Sequence, residues 1–215
     1  MKKLFILLFS LLIYSCANLE TGRIAPGYAE AFNAFNILIF GHENNIDQSI
    51  IENIPYASAL VQIGKGPIGL MILESKKDGV ESWITADGIN ILIKDGRIIQ
   101  TFGLSNNLTS LVYPKLKMNN KQTQKHFFYY SYDNPFLNNL KVEVSSTIKN
   151  KELVNILGTE KELTKIEESI LSKDIRWKAN NIFWMDDVGY IWKTEQAISP
   201  KLPKFKIQVT KKPSI

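Results

Sequence analysis

The sequence predicts a mainly β protein in which antiparallel meanders form a sandwich or a distorted barrel, with a short N-terminal helix. Residues 56–103 alternate between apolar and polar side chains with the two-residue period of strands. Asp-Gly pairs separate several of these runs and favour tight hairpin turns, because glycine accepts a positive φ. No Gly/Ser-rich linker divides residues 26–215, so we assign them to a single mainly-β domain.

The N-terminus has the three parts of a secretory signal peptide. Lys2 and Lys3 provide the positive charge, residues 4–14 are apolar apart from Ser10, and Ser15 is a small residue ahead of a cysteine. The apolar run is too short for a transmembrane helix, which needs about 20 residues. We therefore predict that residues 1–15 are a signal peptide.

Cys16 is the only cysteine of the chain, so an internal disulfide is impossible. Residues 13–16, IYSC, resemble the lipobox of bacterial lipoproteins, whose cysteine thiol becomes a diacylglyceryl thioether. An ordinary signal peptide with a chance cysteine is the alternative. We predict lipidation at Cys16, with residues 16–25 as the lipidated cysteine and its tether. Ala17 in place of Asp indicates the outer membrane of a Gram-negative bacterium, with the domain in the periplasm.

Two short helices are predicted ahead of the strands. Apolar residues recur at helical spacing from Tyr28 to Ile39. A second helix is expected between Ser49, which can cap it, and Pro55, which ends it.

Strand-like runs make up most of the remaining chain. Residues 56–103 form a predicted antiparallel meander, and residues 104–124 are expected to be irregular. Strands then resume, with separate runs at 140–149, 152–158, 163–171, 175–179 and 181–185 among them. Trp83 should pack inward, either with Ile91 and Ile93 or with Leu92 and Ile89, because the sequence does not fix the register.

No set of residues points to catalysis, a metal or a cofactor. The one cysteine is assigned to the lipid, and His42 and His126 are too far apart in the sequence to suggest a metal site. Asp186 and Asp187 are the obvious candidates for a glycosidase pair, but adjacent strand residues point to opposite faces, so we interpret them as turn formers. We predict a protein without enzymatic activity; a periplasmic glycan-active hydrolase is the alternative.

The charge pattern does not indicate a nucleic-acid partner. Loss of Lys2 and Lys3 with the signal peptide lowers the formal net charge from +5 to +3. The lysines are scattered among acidic residues, which is typical of solvated surfaces.

Aromatic residues are concentrated near the C-terminus and allow two interpretations. Trp184 and Trp192 could stack on sugar rings, whose C–H faces are apolar. Tryptophan on a strand more often fills a core, and we favour that interpretation. In either case the two rings should lie near each other across the predicted Asp186–Gly189 turn.

Three stretches resemble the GfcB/YjbF family of bacterial lipoproteins. They are residues 55–64 (PYASALVQIG), 82–104 (SWITADGINILIKDGRIIQTFGL) and 181–213 (NIFWMDDVGYIWKTEQAISPKLPKFKIQVTKKP). The resemblance extends in order from about residue 28 to residue 213, and residues 105–165 carry no sharp motif.

The resemblance implies a mainly β outer-membrane lipoprotein associated with group 4 capsule or other exopolysaccharide production and secretion. Its partners would be the outer membrane, through the lipid anchor, and polysaccharide or proteins of the export machinery. The family supplies no catalytic residue that could be transferred to this chain. A purely structural envelope lipoprotein is a further alternative.

Overall fold

A computed structural model describes residues 51, 53–115 and 123–213 of the chain. These residues form twelve strands in one sheet. The strands are β1 (Ser58–Ile63), β2 (Ile68–Lys77), β3 (Val80–Thr85), β4 (Asn90–Lys94), β5 (Arg97–Phe102), β6 (Leu108–Val112), β7 (Gln124–Tyr132), β8 (Leu137–Ile156), β9 (Thr159–Ser172), β10 (Trp177–Met185), β11 (Ile191–Gln196) and β12 (Phe205–Lys211). The helix predicted from Tyr28 to Ile39 lies outside the described residues.

The sheet is antiparallel and curls into a nearly closed barrel. Strand β1 pairs with both β2 and β12, so the two ends of the described chain meet in the middle of the sheet. Strands β5 and β6 are its two edges. The loop between them brings these edges together, and the Leu108 backbone N–H donates to Thr101 Oγ1 at 3.0 Å. The mainly β prediction is confirmed, with the barrel rather than the sandwich as the architecture.

The inner face of the barrel holds the main hydrophobic core. Trp83 is buried there and stands directly opposite Ile91, with Ile93 in the same cluster. The first of the two predicted registers is therefore the observed one. Phe128 and Phe205 reach the same core from β7 and β12, which places both halves of the sheet around one interior.

The predicted Asp-Gly turns are present. Gly88 has φ +81° and Gly96 has φ +74°, values that L side chains rarely adopt. Their surroundings differ. A Cβ on Gly96 would lie 2.4 Å from Ile191 Cγ1, whereas a Cβ on Gly88 would meet nothing within 4 Å. The β4–β5 turn is thus packed closely against β11, and the β3–β4 turn is open.

Strand β8 is a single strand of 20 residues, not the two separate strands predicted. It contains a bulge against β9: Ile148 pairs with Ile166 and Lys151 with Thr164, so two residues of β8 face one of β9. The bulge moves even-numbered residues of β8 from one face of the sheet to the other. This change of face breaks the alternation, which explains why the sequence suggested two strands.

Two other strand predictions were wrong. Strand β6 lies in the segment predicted to be irregular. Strand β10 runs without a break through Asn180, which had separated the predicted strands 175–179 and 181–185. Asn181 is buried, and its Oδ1 accepts a 2.8 Å hydrogen bond from the Ala197 N–H, so this polar side chain is satisfied within the sheet.

The distal part of the β8–β9 hairpin, from Lys151 to Thr164 beyond the bulge, packs on the outer face of the barrel. Val154 and Ile156 of β8 and Leu163 of β9 form a cluster with Trp184 of β10. Trp184 is on the opposite face of β10 from the inward Trp177 and Ala179. At the hairpin tip, Leu157 packs against a third cluster that includes Ile51 and Ile54.

We predict that Gly96→Ala destabilises the protein more than Gly88→Ala. Both substitutions place an L side chain at positive φ, which costs about 1–2 kcal/mol. Only Gly96→Ala also forces Ile191 to move, because the added Cβ overlaps its side chain. Urea unfolding of the two variants tests this difference; equal losses of unfolding free energy would show that the β4–β5 turn is not packed against β11.

Candidate functional site

A buried ion pair crosses the barrel interior. Arg97 at the start of β5 and Glu168 on β9 are both buried, and Arg97 Nη1 donates to Glu168 Oε2 at 2.7 Å. A second bond joins Arg97 Nη2 to Glu168 Oε1, so the pair is bidentate. Ser146 Oγ donates to the same carboxylate at 2.7 Å. The guanidinium also lies 4.7 Å from the ring centroid of Phe183, where a cation–π interaction is favourable.

The electrostatics of this pair favour a structural role. Burial alone would raise the pKa of Glu168, but the charge and hydrogen bonds of Arg97, with the bond from Ser146, hold it below its ordinary value. The carboxylate is therefore ionised, and both of its oxygens accept hydrogen bonds from Arg97 or Ser146. A general acid needs a raised pKa and access to substrate, and Glu168 has neither.

A narrow cleft of about 190 Å³ opens at the end of the barrel that contains the β2–β3, β4–β5 and β10–β11 turns. Trp83 lies at its floor, and Lys76, Glu81, Asp95 and Tyr190 are among its polar lining. Glu81 is engaged on both oxygens: it accepts from Trp83 Nε1 at 3.2 Å and pairs with Lys76 at 3.3 Å. Two carboxylates, those of Glu81 and Asp95, line this end cleft.

Asp186 forms the β10–β11 turn, as predicted. Its Oδ1 accepts from the backbone N–H of Val188 at 3.1 Å and of Tyr190 at 2.7 Å. Its Oδ2 accepts from Trp192 Nε1 at 2.9 Å. Asp187 instead pairs with Lys151 at 2.8 Å. The two adjacent carboxylates thus have separate structural partners.

Trp184 and Trp192 lie near each other on the outer face, where the hairpin covers them unequally. Trp184 is 7 % exposed, packs against Val154 and Leu163, and donates from Nε1 to Glu152 Oε1. Its ring can reach a glycan only if the hairpin moves away. Trp192 is half-buried and packs at the margin of the same cluster. Of the two tryptophans proposed as sugar contacts, Trp192 is the accessible one.

A larger cleft of about 300 Å³ lies between the hairpin and strands β11 and β12, and we call it the hairpin cleft. Trp192 forms its aromatic wall. Ile156 and Leu157 contribute apolar surface, and Lys161, Thr210 and Lys211 contribute polar groups. Thr210 Oγ1 donates to Ser58 O at 2.8 Å, and Lys211 Nζ donates to Ile54 O at 2.8 Å. These bonds hold the β12 side of the cleft in place.

Lysine amines lie over the aromatic rings around this cleft. Lys161 Nζ is 4.3 Å from the ring centroid of Trp192, and Lys193 Nζ is 5.0 Å from that of Trp184. Lys212 Nζ lies 4.4 Å from the centroid of Tyr190, whose ring meets Trp192 edge-on. The outer face of β10 and β11 thus combines aromatic rings with positive charge.

Other predicted site residues fall elsewhere. Cys16 and His42 lie outside the described residues, and the prediction for Cys16 stays a prediction. His126 is on β7, where its Nε2 is 3.4 Å from Gln124 Oε1. In the part of the chain that the structure describes, no group of three potential metal ligands is found. No helix within that part is long and apolar enough to cross a membrane.

Sequence reasoning missed the lysines of the hairpin cleft. Lys161 and Lys211 are distant in the chain, and the fold-back of the hairpin brings them into one cleft. A local signal existed only for Trp192, through the density of aromatic residues around it.

Comparison with known proteins identifies similar lipoproteins. Residues 32–210 match the family model described as group 4 capsule polysaccharide lipoprotein gfcB, YjbF. The uncharacterized lipoprotein YjbF of Escherichia coli (strain K12) is 23% identical over 157 residues, which cover 68% of this chain and 71% of that protein. The crystal structure of the hypothetical lipoprotein YmcC from Escherichia coli (K12) has a TM-score of 0.66 and 17% identity, and the match covers 86% of this chain and 97% of that one.

We predict that Glu168→Gln strongly destabilises the fold at pH 7. The substitution leaves the Arg97 charge buried without its counter-ion, which typically costs about 3–5 kcal/mol of unfolding free energy. Folding lowers the pKa of Glu168. Its contribution to the free energy of unfolding is therefore complete above the ordinary pKa of 4.5 and is lost as the pH falls through the lower folded-state pKa. The difference in unfolding free energy between the unmodified protein and Glu168→Gln should therefore become smaller in acid.

Urea unfolding at pH 7 and at about pH 3 measures both effects. The exposed Glu160 on β9 provides a matched control, since Glu160→Gln should change the unfolding free energy by less than about 0.5 kcal/mol. A Glu168→Gln protein as stable as the unmodified one at pH 7 would refute the structural role of the ion pair.

Proposed function

The chain belongs to the YjbF family of group 4 capsule polysaccharide lipoproteins, and we propose that it is a non-enzymatic accessory factor in capsule or exopolysaccharide assembly or secretion. We place it at the outer membrane, anchored by lipid on Cys16, with the β domain in the periplasm. The observation that carries the proposal is the family match from residue 32 to residue 210, which includes every strand except the final residue of β12.

The organisation of the N-terminus supports the anchoring. Cys16 follows a short apolar run in a lipobox-like context, and the family is one of lipoproteins. Two or more acyl chains on one residue give stable membrane attachment, whereas a single chain binds only marginally.

The contacts of the acidic side chains support a non-enzymatic role. Glu168 is held by Arg97, Asp186 by its own turn, and Glu81 by Lys76 and Trp83. Each carboxylate is used in an interaction that stabilises the fold. A hydrolase would instead need two carboxylates facing a bound substrate, one of them with a raised pKa.

One observation favours the alternative of a glycan-active hydrolase, namely the presence of Glu81 and Asp95 in the end cleft. Incubation of the purified protein with the organism's own exopolysaccharide, followed by size analysis, separates the two functions. The accessory role predicts chains of unchanged length. Shortening that is abolished by Glu81→Gln or Asp95→Asn would establish the hydrolase.

We predict that the mature protein begins at Cys16 and carries lipid on that residue. Mass spectrometry of the protein from the membrane fraction should show a modified N-terminal cysteine, because the thiol is the acceptor of the diacylglyceryl group. Cys16→Ser should move the protein out of the membrane fraction. Equal membrane retention of both forms would contradict the prediction.

We further predict that deletion of the gene lowers the amount of surface polysaccharide. A plasmid-borne copy should restore it, and a copy with Cys16→Ser should not, because the accessory role requires the protein at the membrane. Surface polysaccharide is measured by extraction and quantification from intact cells. Unchanged polysaccharide after deletion would favour a purely structural envelope protein.

A further inference from the structure

The charged side chains that line the hairpin cleft are all positive. The charged side chains that line it are Lys161 and Lys211, and in the described parts of the chain no carboxylate is among its lining residues. The nearby carboxylate of Asp186 is bonded to Trp192 Nε1 at 2.9 Å and lies 3.9 Å from Lys212 Nζ. The cleft therefore favours a ligand with negative charge, whose attraction to two amines in a partly enclosed site exceeds that at an open surface.

The cleft also presents an aromatic wall suited to a sugar ring. Trp192 is half-buried, and its indole orientation is fixed by the bond to Asp186 and by the edge-on contact with Tyr190. The Lys161 amine is 4.3 Å from the ring centroid of Trp192, and a flexible side chain can move to the edge of the ring when a ligand arrives. A sugar C–H face could then stack on the indole while its acidic group pairs with Lys161.

The size of the cleft restricts the ligand. Its volume of about 300 Å³ is at the lower limit of small-molecule sites, which range from about 300 to 1,000 Å³. This volume suits one sugar unit and its immediate linkages. Thr159, which also lines the cleft, provides a hydroxyl group of the kind that bonds sugar hydroxyls.

We propose that the hairpin cleft binds an acidic sugar unit, carrying a carboxylate, within a polysaccharide chain. This proposal rests on the proposed function in polysaccharide assembly or secretion and names the ligand of one site. Trp192 supplies the stacking surface, and Lys161 and Lys211 supply the charge that distinguishes an acidic sugar from a neutral one. The hairpin forms the opposite wall through Ile156 and Leu157.

Isothermal titration calorimetry tests the proposal with the full mature chain, residues 16–215, carrying Cys16→Ser so that it remains in solution. The probes are a galacturonate tetramer, which carries a carboxylate on each sugar, and maltotetraose, which carries none. We expect the acidic tetramer to bind at least tenfold more tightly than the neutral one. We also expect that increasing salt weakens its binding, because both lysines act through charge.

Paired variants locate the binding. Lys161→Gln with Lys211→Gln should weaken binding of the acidic tetramer at least tenfold. Lys178→Gln with Lys206→Gln removes the same charge from exposed positions on β10 and β12 and should leave the affinity unchanged. Circular dichroism establishes that each variant is folded. Trp192→Ala should abolish binding, with Phe127→Ala as the control for loss of an aromatic ring half exposed on β7.

Several results would overturn the proposal. They are absence of binding, equal affinity for the two tetramers, and full affinity after loss of Lys161 and Lys211. Binding only to phosphatidylglycerol vesicles would also overturn it, because the lysines would then recognise lipid phosphate. None of these results alters the effect of gene deletion on surface polysaccharide, so this proposal and the proposed function can fail independently.

Discussion

The outer surface of this protein depends on one extra residue in β8. The bulge between Ile148 and Lys151 exchanges the faces of the strand, so Val144 points into the barrel and Val154 packs on its outside. Without the bulge, the distal apolar residues would face away from Trp184, since a shift of one residue moves every side chain to the other face. A two-stranded ribbon is marginal alone. The distal hairpin is therefore stabilised by its contact with the barrel, and the hairpin cleft exists only because of that contact.

The interior of the barrel is closed by polar as well as apolar contacts. Beyond the ion pair, Gln196 on β11 accepts from the Ile98 N–H at 3.1 Å and donates to Gly96 O at 2.9 Å, which fixes the β4–β5 turn across the barrel. Tyr132 on β7 donates to Ile198 O at 2.8 Å. Buried polar groups that are satisfied in this way favour one arrangement over others. These contacts link strands across the barrel interior, and the two clefts lie at one end of the barrel and beneath the hairpin.

Local patterns predicted those parts of the fold that local physics determines. The two-residue alternation identified most strands. The Asp-Gly pairs identified turns such as Asp95-Gly96, where the structure has Gly96 at a positive φ. The merged strands could not be predicted from local patterns. Asn150 and Lys151 resemble a loop between residues 140–149 and 152–158, and consecutive asparagines at 180 and 181 disfavour a strand until the bond from the Ala197 N–H to Asn181 Oδ1 is known. The hairpin cleft could not be predicted from the sequence. Its lysines come from strands that meet only after the hairpin folds back, and no sequence spacing encodes that contact.

The hairpin cleft forms only where the distal hairpin packs on the barrel. Hydrogen exchange of the mature protein, followed by mass spectrometry of peptides from residues 153–163, measures this most directly. Packing of the hairpin against Trp184 predicts that its amides are protected to a degree similar to those of β10. Exchange as fast as that of an unsupported two-stranded ribbon would show that the hairpin is detached from the barrel and that the hairpin cleft does not form in solution.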